Sequence, residues 1–349
     1  MLLVSALRHP ARLLSLGAND WAALLRLARA EALLGQLDAC VTEAGVRDTL
    51  PERVRTILDD HAIAVTASQR GARWEARMTA QALASLDCPV VLLKGGAYVA
   101  AGLAVAAGRT VGDLDILLPR DRLDDAERLL KGAGWSSLKD DPYDDEYYRR
   151  WMHELPPLVN DERGTVLDLH HTILPLTARR RPDAAALLAS AIPAGPGLAV
   201  LAAADMLLHS VAHAFADGEF DGGLRNVWDI HRLIGEFAPQ PGFWADLAGR
   251  AHRHELETPL ARSLRAAADL FGTDVDPALA GRCDSFDRLI RSRLLARDHW
   301  GRATRPLIRR SFYLRSHLLR MPLRLLVPHL WRKWRMAQRS ADSAGSSSS

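Results

Sequence analysis

Residues 90–96 read Val-Val-Leu-Leu-Lys-Gly-Gly, and residues 112–119 read Gly-Asp-Leu-Asp-Ile-Leu-Leu-Pro. Each stretch is a short apolar run bounded by glycine or proline, a pattern typical of a buried β-strand. Between them, residues 98–107 are rich in alanine and predict a helix, and residues 121–131 predict a second, amphipathic helix. This order of strand, turn, helix, strand and helix predicts a mixed α/β sheet with helices packed on it.

Three aspartates lie on predicted strands. Side chains at positions i and i+2 of a strand point to the same face, so we expect Asp113 and Asp115 to be neighbours. Asp168 lies on a later predicted strand at residues 165–171, which pairs with a strand at residues 155–159. Neighbouring carboxylates repel unless a cation lies between them, and hard divalent cations prefer carboxylate and phosphate oxygens. The pattern therefore predicts a two-metal site for phosphoryl transfer, with all three aspartates as metal ligands and catalytic residues.

The glycine turn after the first predicted strand is a candidate phosphate-binding site. Lys94, Gly95 and Gly96 are expected to offer one ammonium and backbone N–H groups to a triphosphate. A capping or surface role is the alternative for Lys94. Arg109 either contacts phosphate or acceptor, or neutralises the acidic end of the second strand. We expect His170 to support the site without binding the metal, because Mg²⁺ prefers oxygen ligands.

Three of these segments resemble the motifs of a known family. Residues 90–96, 109–118 and 167–170 are similar to the LKG turn, the R-x-x-x-D-x-D strand and the D-L-H segment of an uncharacterised nucleotidyltransferase family. That family belongs to the DNA-polymerase-beta-like superfamily, and the resemblance covers roughly residues 85–272. The superfamily usually has Gly-Ser at the turn where this chain has Gly95-Gly96, so phosphate contacts there must come from the backbone.

The resemblance implies an α+β fold of the polymerase-beta-like type, with a mixed sheet and flanking helices. It also implies Mg²⁺ or Mn²⁺ and a nucleoside triphosphate such as ATP. The expected reaction moves a nucleoside monophosphate to a hydroxyl-type acceptor. Two alternatives stay open: a catalytically degenerate module that binds a nucleotide or a partner, and a nucleotidyltransferase that modifies RNA.

Changes in composition divide the chain into five predicted segments. These are an N-terminal helical region at residues 1–87, the nucleotidyltransferase core at 88–180, a helical domain at 181–298, a basic amphipathic tail at 299–339 and a disordered tail at 340–349. The helical domain is expected to form the other wall of the active-site cleft.

The net charge of +3 hides a strong asymmetry along the 349 residues. Residues 299–339 contain eleven Arg or Lys and no acidic residue, which leaves 34 basic against 42 acidic residues in the rest of the chain. Such a tail suits an anionic membrane surface or RNA, or it packs on the acidic body as ordinary structure. The three cysteines are far apart, and no apolar run reaches the roughly 20 residues of a membrane span. These features predict a cytoplasmic protein, with peripheral membrane association as a further option.

Two groups in the helical domain recur at helical spacing. Asp205, His209 and His213 form one stripe that has the residue types of a zinc site, but no fourth ligand is evident. We therefore favour a structural role for them. Arg225 and Asp229 are also four residues apart, and we expect a surface or interdomain ion pair, with a nucleotide-base or acceptor contact as the alternative.

Overall fold

The computed structural model describes residues 2–138, 142–216, 218, 220 and 222–320, except for the side chains of residues 143 and 144. The described helices are α1 Leu2–Arg8, α2 Ala18–Ala30, α3 Leu34–Glu43, α4 Glu52–Ala82, α5 Lys94–Ala100, α6 Leu123–Gly132, α7 Pro142–Trp151, α8 Ala184–Ala189, α9 Ala203–Val211, α10 Gly223–Phe237, α11 Phe243–Arg253, α12 Glu257–Phe271, α13 Pro277–Ala280, α14 Ser285–Leu294 and α15 Pro306–Arg320. The strands are β1 Val90–Leu92, β2 Asp113–Leu117, β3 Trp135–Ser137, β4 Leu158–Asn160, β5 Val166–His170, β6 Ile192–Gly195 and β7 Leu198–Val200.

A single mixed sheet organises the described strands in the order β3-β4-β5-β2-β1-β7-β6. Strand β2 runs parallel to β5 and antiparallel to β1, and β1 runs parallel to β7. Strands β4 and β5 form the expected antiparallel pair. The predicted α+β fold, with a mixed sheet and flanking helices, is confirmed.

The helix after β1 begins earlier than predicted. It spans Lys94–Ala100 and not residues 98–107, so the glycine pair lies in its first turn. A Cβ on Gly95 would lie 3.2 Å from Arg109 Nε, and one on Gly96 would lie 3.0 Å from Leu114 Cδ1. A larger residue at either position would press on these side chains, so the two glycines allow α5 to pack closely on the strand β2 region. This contact is long-range, and local turn propensity does not reveal it.

The prediction of an all-helical region at residues 181–298 is wrong in its first part. Strands β6 and β7 lie there, and Leu198 of β7 pairs with Val90 of β1. The stretch from Pro193 to Gly197 has the composition of a break between helices, but its first three residues belong to β6 and its last two form the hairpin turn. Because β7 has only three residues, its alternation is too short to predict a strand, and pairing with β1 decides its conformation.

The N-terminal helices share one hydrophobic core with the sheet and with the later helices. Helix α4 begins directly after Pro51, as the sequence predicts. Helix α3 approaches the loop before β2 so closely that a Cβ on Gly35 would lie 2.1 Å from the Gly108 carbonyl oxygen. Gly108 also has a positive φ of 68°, so both positions require glycine.

The described part of the basic tail packs on the body. Phe312 of α15 is buried and lies 5.4 Å from Phe220 and 5.6 Å from Phe286, measured between ring centroids. This packing favours the structural role for residues 299–320. The rest of the predicted basic tail, and the predicted disorder at residues 340–349, lie outside the described residues. No helix in the described ranges is long and apolar enough to cross a membrane.

Candidate active site

The parallel pairing of β2 with β5 brings two predicted metal ligands together. Asp115 is directly opposite Asp168 in the strand register. Ligand atoms of Asp115, Asp168 and His170 all lie within 4.8 Å of one another. Asp113 lies on the same face of β2 by strand alternation, at the exposed start of the strand, and is not part of this tight group.

Asp115 is the most strongly paired carboxylate of the site. Lys94 Nζ lies 2.6 Å and His170 Nε2 lies 3.0 Å from its Oδ1 atom. Burial opposes ionisation of Asp115, but the hydrogen bond with His170 and the charge of Lys94 outweigh it and hold the pKa well below its usual range. Asp115 is therefore a carboxylate at neutral pH.

Asp168 has the opposite electrostatic character. Burial, followed by the negative charges of Asp115 and Glu154, raises the pKa of Asp168 to about 7. Its Oδ1 atom is buried and has no hydrogen-bond partner within the described residues. An unpaired buried oxygen beside a second carboxylate is costly, and a divalent cation would satisfy both groups. The residues present therefore fit a metal ion at this point.

Lys94 contacts a carboxylate in this structure. Its backbone has a φ of 46°, a left-handed conformation that costs a non-glycine residue about 1–3 kcal/mol. The side chain of this strained residue points towards Asp115, with which it forms an ion pair. Burial lowers the pKa of Lys94, but the Asp115 charge outweighs it and raises the pKa above its usual value. Lys94 is therefore the positively charged partner of Asp115 in this structure.

Of the two residues in the predicted ion pair, Asp229 pairs with Arg109 from the predicted nucleotidyltransferase core, and Arg225 makes a different contact. Arg109 Nη1 lies 2.5 Å from Asp229 Oδ2, and both side chains are buried. Arg225 instead donates to the backbone carbonyl of Thr110 over 3.2 Å. Arg109 therefore neutralises a carboxylate on α10, and not the acidic end of β2. Together, these contacts fasten the segment before β2 to the helical region.

Sequence reasoning missed two residues at the edge of the site. Glu154 forms an isolated bridge with His170, and its Oε2 atom lies 3.4 Å from His170 Nε2. Burial raises the pKa of Glu154, and the attraction of His170 and Lys94 does not fully offset it. His153 precedes it, with its ring centroid 5.2 Å from that of His170. Both lie in an irregular segment between α7 and β4, where no periodicity indicates which side chains turn inward.

The histidine stripe on α9 also faces this cleft, but without its predicted companion. His209 is buried, and His213 lies in a π-helical turn at Ala212–Ala216. The side chain of His213 is exposed to solvent. Asp205 points elsewhere and bonds to Arg250, so these three residues are not one zinc site.

Comparison with known proteins agrees with this geometry. Residues 17–272 match the model of a family described as uncharacterised nucleotidyltransferase. The match extends N-terminally beyond the segment that carries the motif resemblance and includes both the sheet and the helices α9 to α12. No curated protein matches the chain.

Proposed function

We propose that this chain, which belongs to the family of uncharacterised nucleotidyltransferases, moves a nucleoside monophosphate from a nucleoside triphosphate to a hydroxyl-type acceptor. Pyrophosphate is the second product. The observation that carries the proposal is the in-register pair of Asp115 and Asp168 with an unpaired buried oxygen on Asp168. Such a pair is costly in an ordinary protein core but suits a site that binds divalent cations and phosphate oxygens.

Asp113, Asp115 and Asp168 would hold Mg²⁺ or Mn²⁺ in this site. When bound, the ions would neutralise charge on the phosphate oxygens and favour the in-line displacement of pyrophosphate. Asp113 is at the open end of β2, where a nucleotide can approach it from solvent. His170 holds Asp115 in position through its hydrogen bond.

Asp168 is suited to accept a proton from the acceptor hydroxyl. Its carboxylate lies opposite Asp115, where bound cations would keep it ionised, so it can accept a hydrogen bond and then the proton from the acceptor hydroxyl. Lys94 is within reach of the same pocket and can exchange its contact with Asp115 for a contact with phosphate. The backbone N–H groups of Gly95 and Gly96, at the start of α5, would contact the triphosphate together with Lys94.

Arg109 is proposed to act indirectly, by positioning other residues of the site. Its Nη1 atom is engaged with Asp229, whereas its Nε atom is buried without a partner within the described residues. We propose that Arg109 orients the glycine turn, which it contacts across Gly95, and contacts phosphate only if Asp229 releases it.

The decisive experiment measures label transfer from each α-labelled nucleoside triphosphate, with Mg²⁺ or Mn²⁺, to mixtures of small molecules, RNA and protein. We expect Asp115→Asn and Asp168→Asn each to reduce transfer by at least about 100-fold, more than is typical of losing a group outside the ligand shell. Asp274→Asn is the matched control, because Asp274 belongs to a second Asp-x-Asp sequence that is exposed and outside the cleft.

The labelled acceptor would separate the alternatives. Label on RNA would favour the RNA-modifying enzyme, and label on a small molecule or protein would identify that acceptor class. Nucleotide binding that depends on metal but gives no product would favour the catalytically degenerate module. Equal transfer by all three variants and the wild type would refute the assigned site.

A further inference from the structure

A second cluster of metal-ligand types lies beside the carboxylates. His153, Glu154 and His170 offer two imidazole nitrogens and one carboxylate oxygen that all lie within 4.8 Å of one another. The Glu154 Oε2 atom is 3.6 Å from His153 Nε2 and 3.4 Å from His170 Nε2. These separations are longer than hydrogen bonds of good geometry, and they are compatible with three ligands around one ion.

Backbone pairing places two of these three residues, Glu154 and His170, next to each other. Glu154 and His170 face each other in an isolated antiparallel bridge, and His170 is the last residue of β5. The backbone N–H of His171 donates to the His153 carbonyl oxygen over 2.9 Å, which holds the third residue against the same strand end. The cluster is thus built on the sheet.

The two imidazoles are only partly satisfied by contacts within the described protein. The Nδ1 atoms of both His153 and His170 are buried and have no hydrogen-bond partner within the described ranges. His170 is only 1% exposed, so solvent does not readily replace that partner. In each ring Nδ1 can carry the ring proton, which leaves the Nε2 lone pair available for an ion.

We propose that His153, Glu154 and His170 bind a transition-metal ion such as Mn²⁺, Fe²⁺, Co²⁺ or Zn²⁺. Two imidazoles with one carboxylate suit these ions, whereas Mg²⁺ is bound almost entirely by oxygen. The site is separate in its ligands from the Asp113, Asp115 and Asp168 site, and it does not require that the chain transfers nucleotides.

Sharing of His170 couples this ion to the carboxylate site. As a ligand, His170 Nε2 must direct its lone pair at the ion, and it then cannot donate a proton to Asp115 Oδ1. Without the ion, the same nitrogen lies 3.0 Å from that oxygen and supports Asp115. Binding of a transition metal therefore changes the hydrogen bonding of Asp115, and thereby the affinity of the neighbouring site for a hard cation.

The test is a titration of the full-length protein with Co²⁺ at millimolar Mg²⁺, followed by visible absorption and by calorimetry. Nitrogen ligands give bound Co²⁺ an absorption spectrum that differs from that of the hydrated ion. We expect His153→Gln and Glu154→Gln each to weaken Co²⁺ binding by about 10-fold or more, and Asp168→Asn to change it less. Two variants are used so that one remains informative if the other fails to fold, as judged by metal-free thermal melting.

The pattern among the variants decides the outcome. Co²⁺ binding that is unaffected in folded His153→Gln and Glu154→Gln, or that is lost chiefly in Asp168→Asn, would overturn the proposal. Label transfer in Mg²⁺ alone reports on the proposed function separately, so failure of either proposal leaves the other measurable.

Discussion

Asp205 and Asp168 differ in how many hydrogen-bond partners their carboxylates have within the described protein. Asp205 on α9 is fully buried and receives bonds at both oxygens, from Arg250 Nε over 2.6 Å, Ser190 Oγ over 2.7 Å and His254 Nε2 at 3.2 Å. Asp168 on β5 is less deeply buried, yet its Oδ1 atom has no partner within the described residues.

The pKa directions express this difference. Burial opposes ionisation of Asp205, but its hydrogen bonds with His254 and Arg250 outweigh it and lower the pKa. Asp168 Oδ1 has no such bond within the described residues, and burial raises the pKa of Asp168 to about 7. A satisfied buried carboxylate stabilises a fold, whereas an unsatisfied one beside other carboxylates indicates a place for a ligand. Burial alone does not distinguish the two.

The largest expected effect is on the structural aspartate. Asp205→Ala should lower the free energy of unfolding by about 3–5 kcal/mol, because it leaves the Arg250 guanidinium and the buried His254 without their partner. Denaturant unfolding monitored by circular dichroism measures this value. Asp168→Asn is the matched comparison and should not destabilise the metal-free protein at pH 8. Similar destabilisation by the two variants would remove the distinction between the two aspartates.

A smaller loss is expected at the pair that joins the segment before β2 to α10. Arg109→Met should cost about 1–3 kcal/mol, because Asp229 is left without its hydrogen bond while Arg225 remains close enough to attract it. The double variant Arg109→Met/Asp229→Leu should recover most of that stability, since a well-packed apolar pair often replaces a buried ion pair.

The same double variant tests the predicted phosphate contact of Arg109. If Arg109 only positions the glycine turn, the stable double variant should retain measurable label transfer with a similar KM for the nucleotide. A large increase in that KM without loss of stability would show a direct phosphate contact.

Asp168 is expected to cause a pH dependence of stability. Its folded-state pKa of about 7 lies above the ordinary value of 3.8, so its contribution to stability is full below pH 3.8 and is lost as pH rises through 7. In metal-free buffer, the melting temperature of Asp168→Asn relative to wild type should therefore rise between pH 4 and pH 8. Asp274→Asn should show no such trend. A relative fall for Asp168→Asn would mean that a partner stabilises the ionised carboxylate.

The sequence already predicted the central strands of the fold. Short apolar runs identified β1 and β2, and the predicted strand pair at residues 155–159 and 165–171 corresponds to β4 and β5. Strand alternation also placed Asp113 and Asp115 on one face. These features are local, because the side to which a residue points depends only on its position along the strand.

Other features could not be predicted from local patterns. The pairing of β7 with β1 joins segments more than 100 residues apart in the chain, and a three-residue strand carries too little alternation to be identified. The segment with His153 and Glu154 is irregular, so only its bridge to the end of β5 turns Glu154 towards His170.

The sequence by itself determined the strand carboxylates, the shared face of Asp113 and Asp115, and membership of a nucleotidyltransferase family. Only the tertiary structure decided which charged side chains pair with each other. Lys94 pairs with Asp115 and Arg109 pairs with Asp229, whereas Asp168 Oδ1 has no partner in the described chain. The physical reason is that strand alternation depends on residues close together in the chain, whereas side-chain pairing depends on residues far apart in the chain. Strand alternation is fixed by neighbouring backbone geometry, whereas the partner of a charged side chain depends on which distant elements pack beside it.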